Sequence, residues 1–169
     1  SMTFGRLLTA IGAEFVEAQG STALEPAKLG RFMFHCFGAH FCEVRVNRFT
    51  GEPRVTRFTT VVDAGRIVNT QAARSQVVGG VIFGIGQALL EDNPIEPSGR
   101  MAGANLADYL VPVNADVPPI DVHWVDRPDP EISEFGARGL GEIGTVGSAA
   151  AVGNAIFDAT GIRIRELPI

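Results

Sequence analysis

Phe41-Cys-Glu-Val-Arg-Val-Asn-Arg48, the turn Thr50-Gly-Glu-Pro53 and Arg54-Val-Thr-Arg-Phe-Thr-Thr-Val-Val62 together decide the fold class. In the first run Cys42, Val44 and Val46 alternate with Glu43, Arg45 and Asn47. A period of two sends alternate side chains to opposite faces of a strand, so one face is apolar and the other polar. Two such runs around a short glycine-containing loop predict a β-hairpin.

Downstream, Asp63-Ala-Gly65 breaks the second run, Asp63 capping the turn before Gly65. Asn69-Thr70 opens a helix expected over Gln71 to Glu91, with Val77, Val78, Val81, Ile82, Ile85, Ala88 and Leu89 on one broad face. Each internal glycine weakens that helix by about 1 kcal/mol. Gly80 and Gly84 lie one turn apart, which predicts the close approach of another backbone. Residues 92–119 are rich in Pro, Gly and Asn and predict a long loop, a type that is usually functional or packed against something else. A short strand is expected over Ile120–Val125. A small-residue helix is expected over Ser148–Ala159, closed by Gly161. Upstream, Leu7, Leu8, Ile11, Phe15 and Val16 have helical spacing and predict a helix over Phe4–Gln19, ended by Gly20, Ser21 and Pro26. The expected architecture is α+β, a hairpin-containing sheet packed with two or three helices. The expected division is an N-terminal helix and linker over residues 1–31 and a larger lobe over 32–169.

The chain has 169 residues, 46% hydrophobic and 20% charged, with a net charge of −5. That is ordinary for a folded chain with a core and lacks the basic footprint of a nucleic-acid binder. No apolar run reaches the ~18–20 residues of a membrane span; the longest, Val77–Leu90, is interrupted by four glycines and Gln87. Cys36 and Cys42 read as buried free thiols. With His35 and His40 they lie on or beside one strand without paired metal-ligand spacing, so no metal site is expected. His123 reads as a strand residue with a hydrogen-bonded ring, and Arg163 and Arg165 as an exposed positive edge.

The segment Gly136-Ala-Arg-Gly-Leu-Gly-Glu-Ile-Gly-Thr-Val-Gly147 carries the chemistry. Gly139, Gly141 and Gly144 match the dinucleotide spacing G-x-G-x-x-G. That motif needs an apolar strand before it and an acid-ended strand about 20 residues on. Glu131-Ile-Ser-Glu-Phe135 is poor strand material, and little chain follows the helix, so the dinucleotide reading is set aside. Glycines here still let a backbone approach a ligand. Glu142 is the one ionisable side chain between Arg138 and Asp158. In a poorly hydrated, glycine-lined turn its pKa would rise, which suits a general base. The plainer alternative is a carboxylate at a helix start, favoured by the dipole. Arg138 is either a phosphate contact or a surface ion pair.

Three segments together resemble the molybdenum-binding subunits of the xanthine dehydrogenase/aldehyde oxidase family, especially aldehyde- and isoquinoline-oxidoreductase-type members. They are Gly139-Leu-Gly-Glu-Ile-Gly144 with Ala149–Gly161 and the ending Arg163–Ile169; Val61-Val-Asp-Ala-Gly-Arg-Ile-Val-Asn69 with Gln76–Glu91; and His35–Val46. The last residues match where such subunits end, and the resemblance covers Phe32 to Ile169. It implies that Glu142 is the base that takes a proton from a molybdenum-bound hydroxyl while hydride passes to a sulfido ligand. It also implies that Gln76 contacts the molybdopterin, its amide able to donate and accept, beside Gly139 and Gly141. The implied substrates are aldehydes or N-heterocycles with water as oxygen source, and the implied cofactor is molybdopterin, as its cytosine dinucleotide. The implied partners are the rest of the subunit, an iron–sulfur subunit and an FAD subunit. Such subunits are several times longer and draw much of their cofactor cradle from loops not in this sequence, so the isolated chain is expected to hold no cofactor and to be inactive. The cytoplasm is favoured over the periplasm. The alternative class is a non-catalytic module that assembles with another chain.

Overall fold

The computed structural model describes residues 2–21, 26–28 and 30–169. It divides into two compact units, Ser1–Arg31 and Phe32–Ile169. In the first, helix α1 (Phe4–Ile11) starts at Thr3, whose hydroxyl accepts from the Arg6 N–H. It ends at Gly12, which takes the left-handed conformation at φ 64°. The helix is thus half the expected length, because a left-handed glycine cap closes the last turn before Phe15 and Val16 are reached. The linker expected from Gly20 onward falls partly on residues 22–25 and 29, outside the described residues.

In the second unit, β1 (Phe37–Val46) and β2 (Pro53–Asp63) form the expected antiparallel hairpin, with His40 opposite Thr60 and Cys42 opposite Phe58. Asn47 closes the turn, its side-chain oxygen accepting from the N–H groups of Phe49 and Thr50. Gly51 takes φ 80°, which a side chain would strain. A third strand, β3 (Ile120–Trp124), runs parallel to β2, giving the order β1-β2-β3. Helix α2 (Thr70–Leu89) starts where expected: the Asn69 side chain accepts from Ala72 N–H. A short helix α3 (Ile143–Val146) and helix α4 (Ser148–Thr160) follow, α4 ending at left-handed Gly161.

The core lies between one face of the sheet and α2 with α4. Phe58 from β2 is fully buried among Val81, Ile85 and Ala88 of α2, Ile120 of β3 and Val152 and Ile156 of α4. Burying a side chain of that size stabilises by about 2–3 kcal/mol. A second cluster, Val62, Ala64 and Val77, continues the core toward Trp124, Leu140 and Ile143. The C-terminal Ile169 is tied to the end of α2, its N–H donating to Ala88 O at 2.7 Å.

The α2 glycines meet the backbone they were expected to admit. A Cβ at Gly80 would stand 2.9 Å from Gly144 Cα, and one at Gly84 would run into the Ser148 side chain. The glycine-rich loop is fastened to the end of β2. Gly65 pairs with Ala137, Arg66 N–H donates to Gly136 O at 2.8 Å, and Arg138 N–H donates to Ala64 O at 2.8 Å. Asp63 caps this turn as expected, accepting from Gly65 N–H at 3.1 Å. Among the described residues no helix is long and apolar enough to cross a membrane.

Candidate functional site

Helix α2 buries Val77, Val81, Ile85 and Ala88 against the sheet and turns a second stripe outward. Ala72, Gln76, Gly79, Phe83 and Gln87 recur every three to four residues, so they share one face of the helix. That face forms one wall of a cleft of about 930 Å³. The opposite wall is Gly141, Glu142 and Thr145, and Glu91 and Tyr109 also line the cleft.

Two of the residues singled out in the sequence are joined here. The Gln76 side-chain N–H donates to the Gly141 carbonyl at 2.8 Å, bridging α2 and the glycine loop. One amide proton is thereby used, which leaves the carbonyl oxygen and the second N–H for other partners. Glu142 stands next to this bond at the N-cap of α3, where its side chain makes no capping hydrogen bond. It does occupy a helix start, yet its carboxylate is not spent on the helix. The poorly hydrated setting expected for it is not supplied by these residues: Glu142 is exposed, because the cleft is wide and its far side is open. Gly139 does not line the cleft.

The glycines of this loop separate by cause. Gly136 needs φ 66°, and Gly144 is pressed against the Val77 carbonyl, so fold and packing account for both. Gly79 and Gly141 have ordinary φ, and a Cβ built on either meets nothing within 4 Å. Both line the cleft, so the only thing their missing side chains leave bare is cleft volume. This fits a backbone that a bulky ligand approaches closely.

Arg138 takes the second of its expected roles, an ion pair, but a largely buried rather than a surface one. Only 10% of its side chain is exposed, and it is bound to Asp63 and, at 2.9 Å, to Asp129. It is a half-buried clamp that fixes the glycine loop to β2, and it has no free face for a phosphate. Among the described residues no group of His, Cys, Asp or Glu could hold a metal ion, and Cys36 and Cys42 are free, half-buried thiols. Burial pushes the Cys42 thiol up to about 12, the neighbouring Glu43 charge adding to the shift. The His123 ring is exposed on β3 and hydrogen-bonds no described residue, because its side of the sheet is uncovered. Arg163 lies 3.7 Å from the centre of the Phe157 ring and donates to Asn154, while Arg165 is exposed.

Tyr109 and Glu91 are among the cleft residues missed in the sequence. Tyr109 donates to Glu91 at 2.5 Å, and that bond, together with the charge of Glu91, raises the tyrosine pKa. Glu91 could have been found by continuing the three-to-four spacing past Gln87. Tyr109 sits in the long loop, where no periodicity signals which side chain turns inward.

Residues 3–118 match the molybdopterin cofactor-binding domain family. That match begins well before Phe32, where the sequence resemblance was placed, and ends before Glu142. The aldehyde oxidoreductase molybdenum-binding subunit of Escherichia coli K12 is 46% identical over 134 residues, 79% of this chain and 18% of that subunit. Quinoline 2-oxidoreductase from Pseudomonas putida 86 superposes with a TM-score of 0.72 at 32% identity, covering 78% of this chain and 17% of its own. The aldehyde oxidoreductase of Desulfovibrio gigas does so with a TM-score of 0.71 at 36% identity, covering 79% and 14%. The chain therefore spans less than a fifth of the length of these relatives.

Proposed function

The chain belongs to the molybdopterin cofactor-binding family found in molybdenum oxidoreductases, and we propose that it forms the base-bearing wall of such an enzyme's active site. The observation that carries this reading is the pair of unexplained glycines, Gly79 and Gly141, flanking Gln76 and Glu142 on a shared cleft. Gln76 offers its remaining amide donor and acceptor to the edge of a pterin, and the bare backbone at Gly141 lets the ligand lie close. Gly139, which neither backbone angle nor packing constrains, lies outside the cleft and touches the ligand less directly. The cofactor, when bound, supplies the two-electron acceptor for substrate oxidation, and we assign it as the cytosine dinucleotide form of molybdopterin.

Glu142 is the general base. It takes the proton from the water-derived hydroxyl that attacks the substrate carbon, and its exposure here leaves it in reach of a substrate entering the cleft. Substrates are aldehydes or N-heterocycles. The rest of the molybdenum-binding subunit closes the far side of the cleft, desolvating the carboxylate, and iron–sulfur and FAD subunits carry the electrons away. In the complete enzyme, Glu142→Gln should lower turnover by about 10²–10⁴-fold, the range for removing a general base, with molybdenum content unchanged by elemental analysis. Near-normal turnover in a metal-replete variant would remove the assignment.

A further inference from the structure

One partly buried side chain on β1 has no part in the cleft chemistry. His40 lies against Phe58 with ring centroids 5.9 Å apart, and its buried Nδ1 has no hydrogen-bond partner. Its remaining contacts lead to the segment that carries Glu142. The Ile143 backbone lies beside the imidazole, close enough to favour its protonated form. Gly147 lies directly on the ring: a Cβ there would stand 3.1 Å from Nε2 and run into Cδ2. Two residues along the same strand, Gly38 leaves room for the Ile143 side chain, since a Cβ at Gly38 would stand 3.1 Å from Ile143 Cγ1.

These contacts complete a three-sided support for the turn. From the cleft, Gln76 holds Gly141. From α4, the Ser148 hydroxyl donates to Gly144 O at 2.6 Å. From the sheet, β1 meets both ends of α3, at Ile143 and at Gly147. Glu142 makes no capping bond of its own, so its position follows from where these neighbours are held. We propose that His40 is a positioning residue for Glu142, its ring fixing the height of the Ile143–Gly147 turn above the sheet. This rests on the assignment of Glu142 as the base.

The support works with a neutral ring. The groups set against it are Phe58 and Thr60 from β2, the Ile143 backbone from α3, and Gly147 before the start of α4. None is acidic, and the positive end of α4 disfavours a proton nearby. Glu142, the carboxylate on the adjoining turn, is exposed to the cleft. Burial accordingly lowers the His40 pKa, more than the nearby Ile143 backbone raises it.

The test uses the complete, cofactor-loaded enzyme. His40→Ala should lower kcat by about 10–100-fold, the scale expected for a reacting group displaced by roughly 1 Å, with KM and molybdenum content unchanged. His40→Gln, which keeps a planar polar side chain beside the Ile143 backbone, should recover most of that loss. Gly147→Ala, which drives a methyl group into the ring while leaving His40 in place, should reproduce it, and decides the matter if His40→Ala does not fold. Wild-type kcat in His40→Ala, an equal loss in the alanine and glutamine variants, or normal kcat in metal-replete Gly147→Ala overturns the proposal. Glu142→Gln in parallel separates the two ideas. If that variant keeps its turnover, the base assignment falls whatever His40 does. If it is inactive while His40→Ala is normal, the positioning role alone falls.

Discussion

At the scale of single residues, Gly141 and Gly144 pose opposite demands three positions apart. A methyl group at Gly141 meets no protein atom, whereas one at Gly144 strikes the Val77 carbonyl. Gly141→Ala should therefore leave the thermal midpoint of the complete subunit in place while reducing the molybdenum it retains. Gly144→Ala should cost about 1–3 kcal/mol of stability, as overpacking does. Calorimetry with elemental analysis separates them, and a Gly141→Ala variant that loads metal normally would argue against ligand approach at that backbone. Two titrating side chains add pH limits of opposite sign. Burial lowers the His40 pKa below its ordinary 6.5, so the unfolded chain takes up a proton that the folded one refuses. Stability is then full above 6.5 and lost as pH falls below it. Cys42 has its pKa raised from 9.0 to about 12, so its contribution is full below 9.0 and lost as pH rises through that window. Cys42→Val should flatten the alkaline limb of a midpoint-against-pH curve; an unchanged limb would assign the alkaline loss elsewhere.

At the scale of elements, the legible parts were those with a local cause. The hairpin showed in the alternation of Cys42, Val44 and Val46, the start of α2 in Asn69, and the close crossing of α2 in Gly80 and Gly84. The extent of α1 was misread because Gly12, not the more distant Gly20, takes the left-handed cap. Spacing alone does not say which of two glycines will do so. Of the candidate site, Gln76 and Glu142 were named from the family resemblance, while their meeting through Gly141 depends on α2 crossing the loop, a non-local fact. The partner and burial of Arg138's ion pair were out of reach for the same reason: Asp63 is 75 residues away in sequence. Its clamp of loop to strand makes a prediction at this scale. Arg138→Ala leaves Asp63 and Asp129 half-buried without their cation, which should destabilise by on the order of 3 kcal/mol. Denaturant unfolding of the complete subunit measures this, and a loss under about 0.5 kcal/mol, the size of a surface effect, would show the clamp to be dispensable.

At the scale of the whole molecule, the described residues line a cleft that is open on its far side and leave several large apolar side chains uncovered. Phe83 on the cleft stripe is 67% exposed, Val146 on α3 is 77% exposed and Phe135 before the glycine loop is 70% exposed. The chain spans less than a fifth of its relatives, and under the proposed function the neighbouring parts of a molybdenum-binding subunit would cover these side chains. The same reasoning limits what the chain does alone. Under the proposed function Gln76 and Gly141 would offer one amide and one bare stretch of backbone to a cofactor bearing many more polar groups, and the open cleft leaves Glu142 exposed. The isolated chain should therefore retain no molybdenum after desalting and should not oxidise an aldehyde with a dye acceptor. Supplied with a separately expressed remainder of its subunit, it should co-purify as a complex and regain both properties. Metal retention with turnover by the chain alone would mean that this wall carries a sufficient site. Co-purification without turnover, from a remainder that itself holds the metal, would favour a purely structural lobe over a base-bearing one.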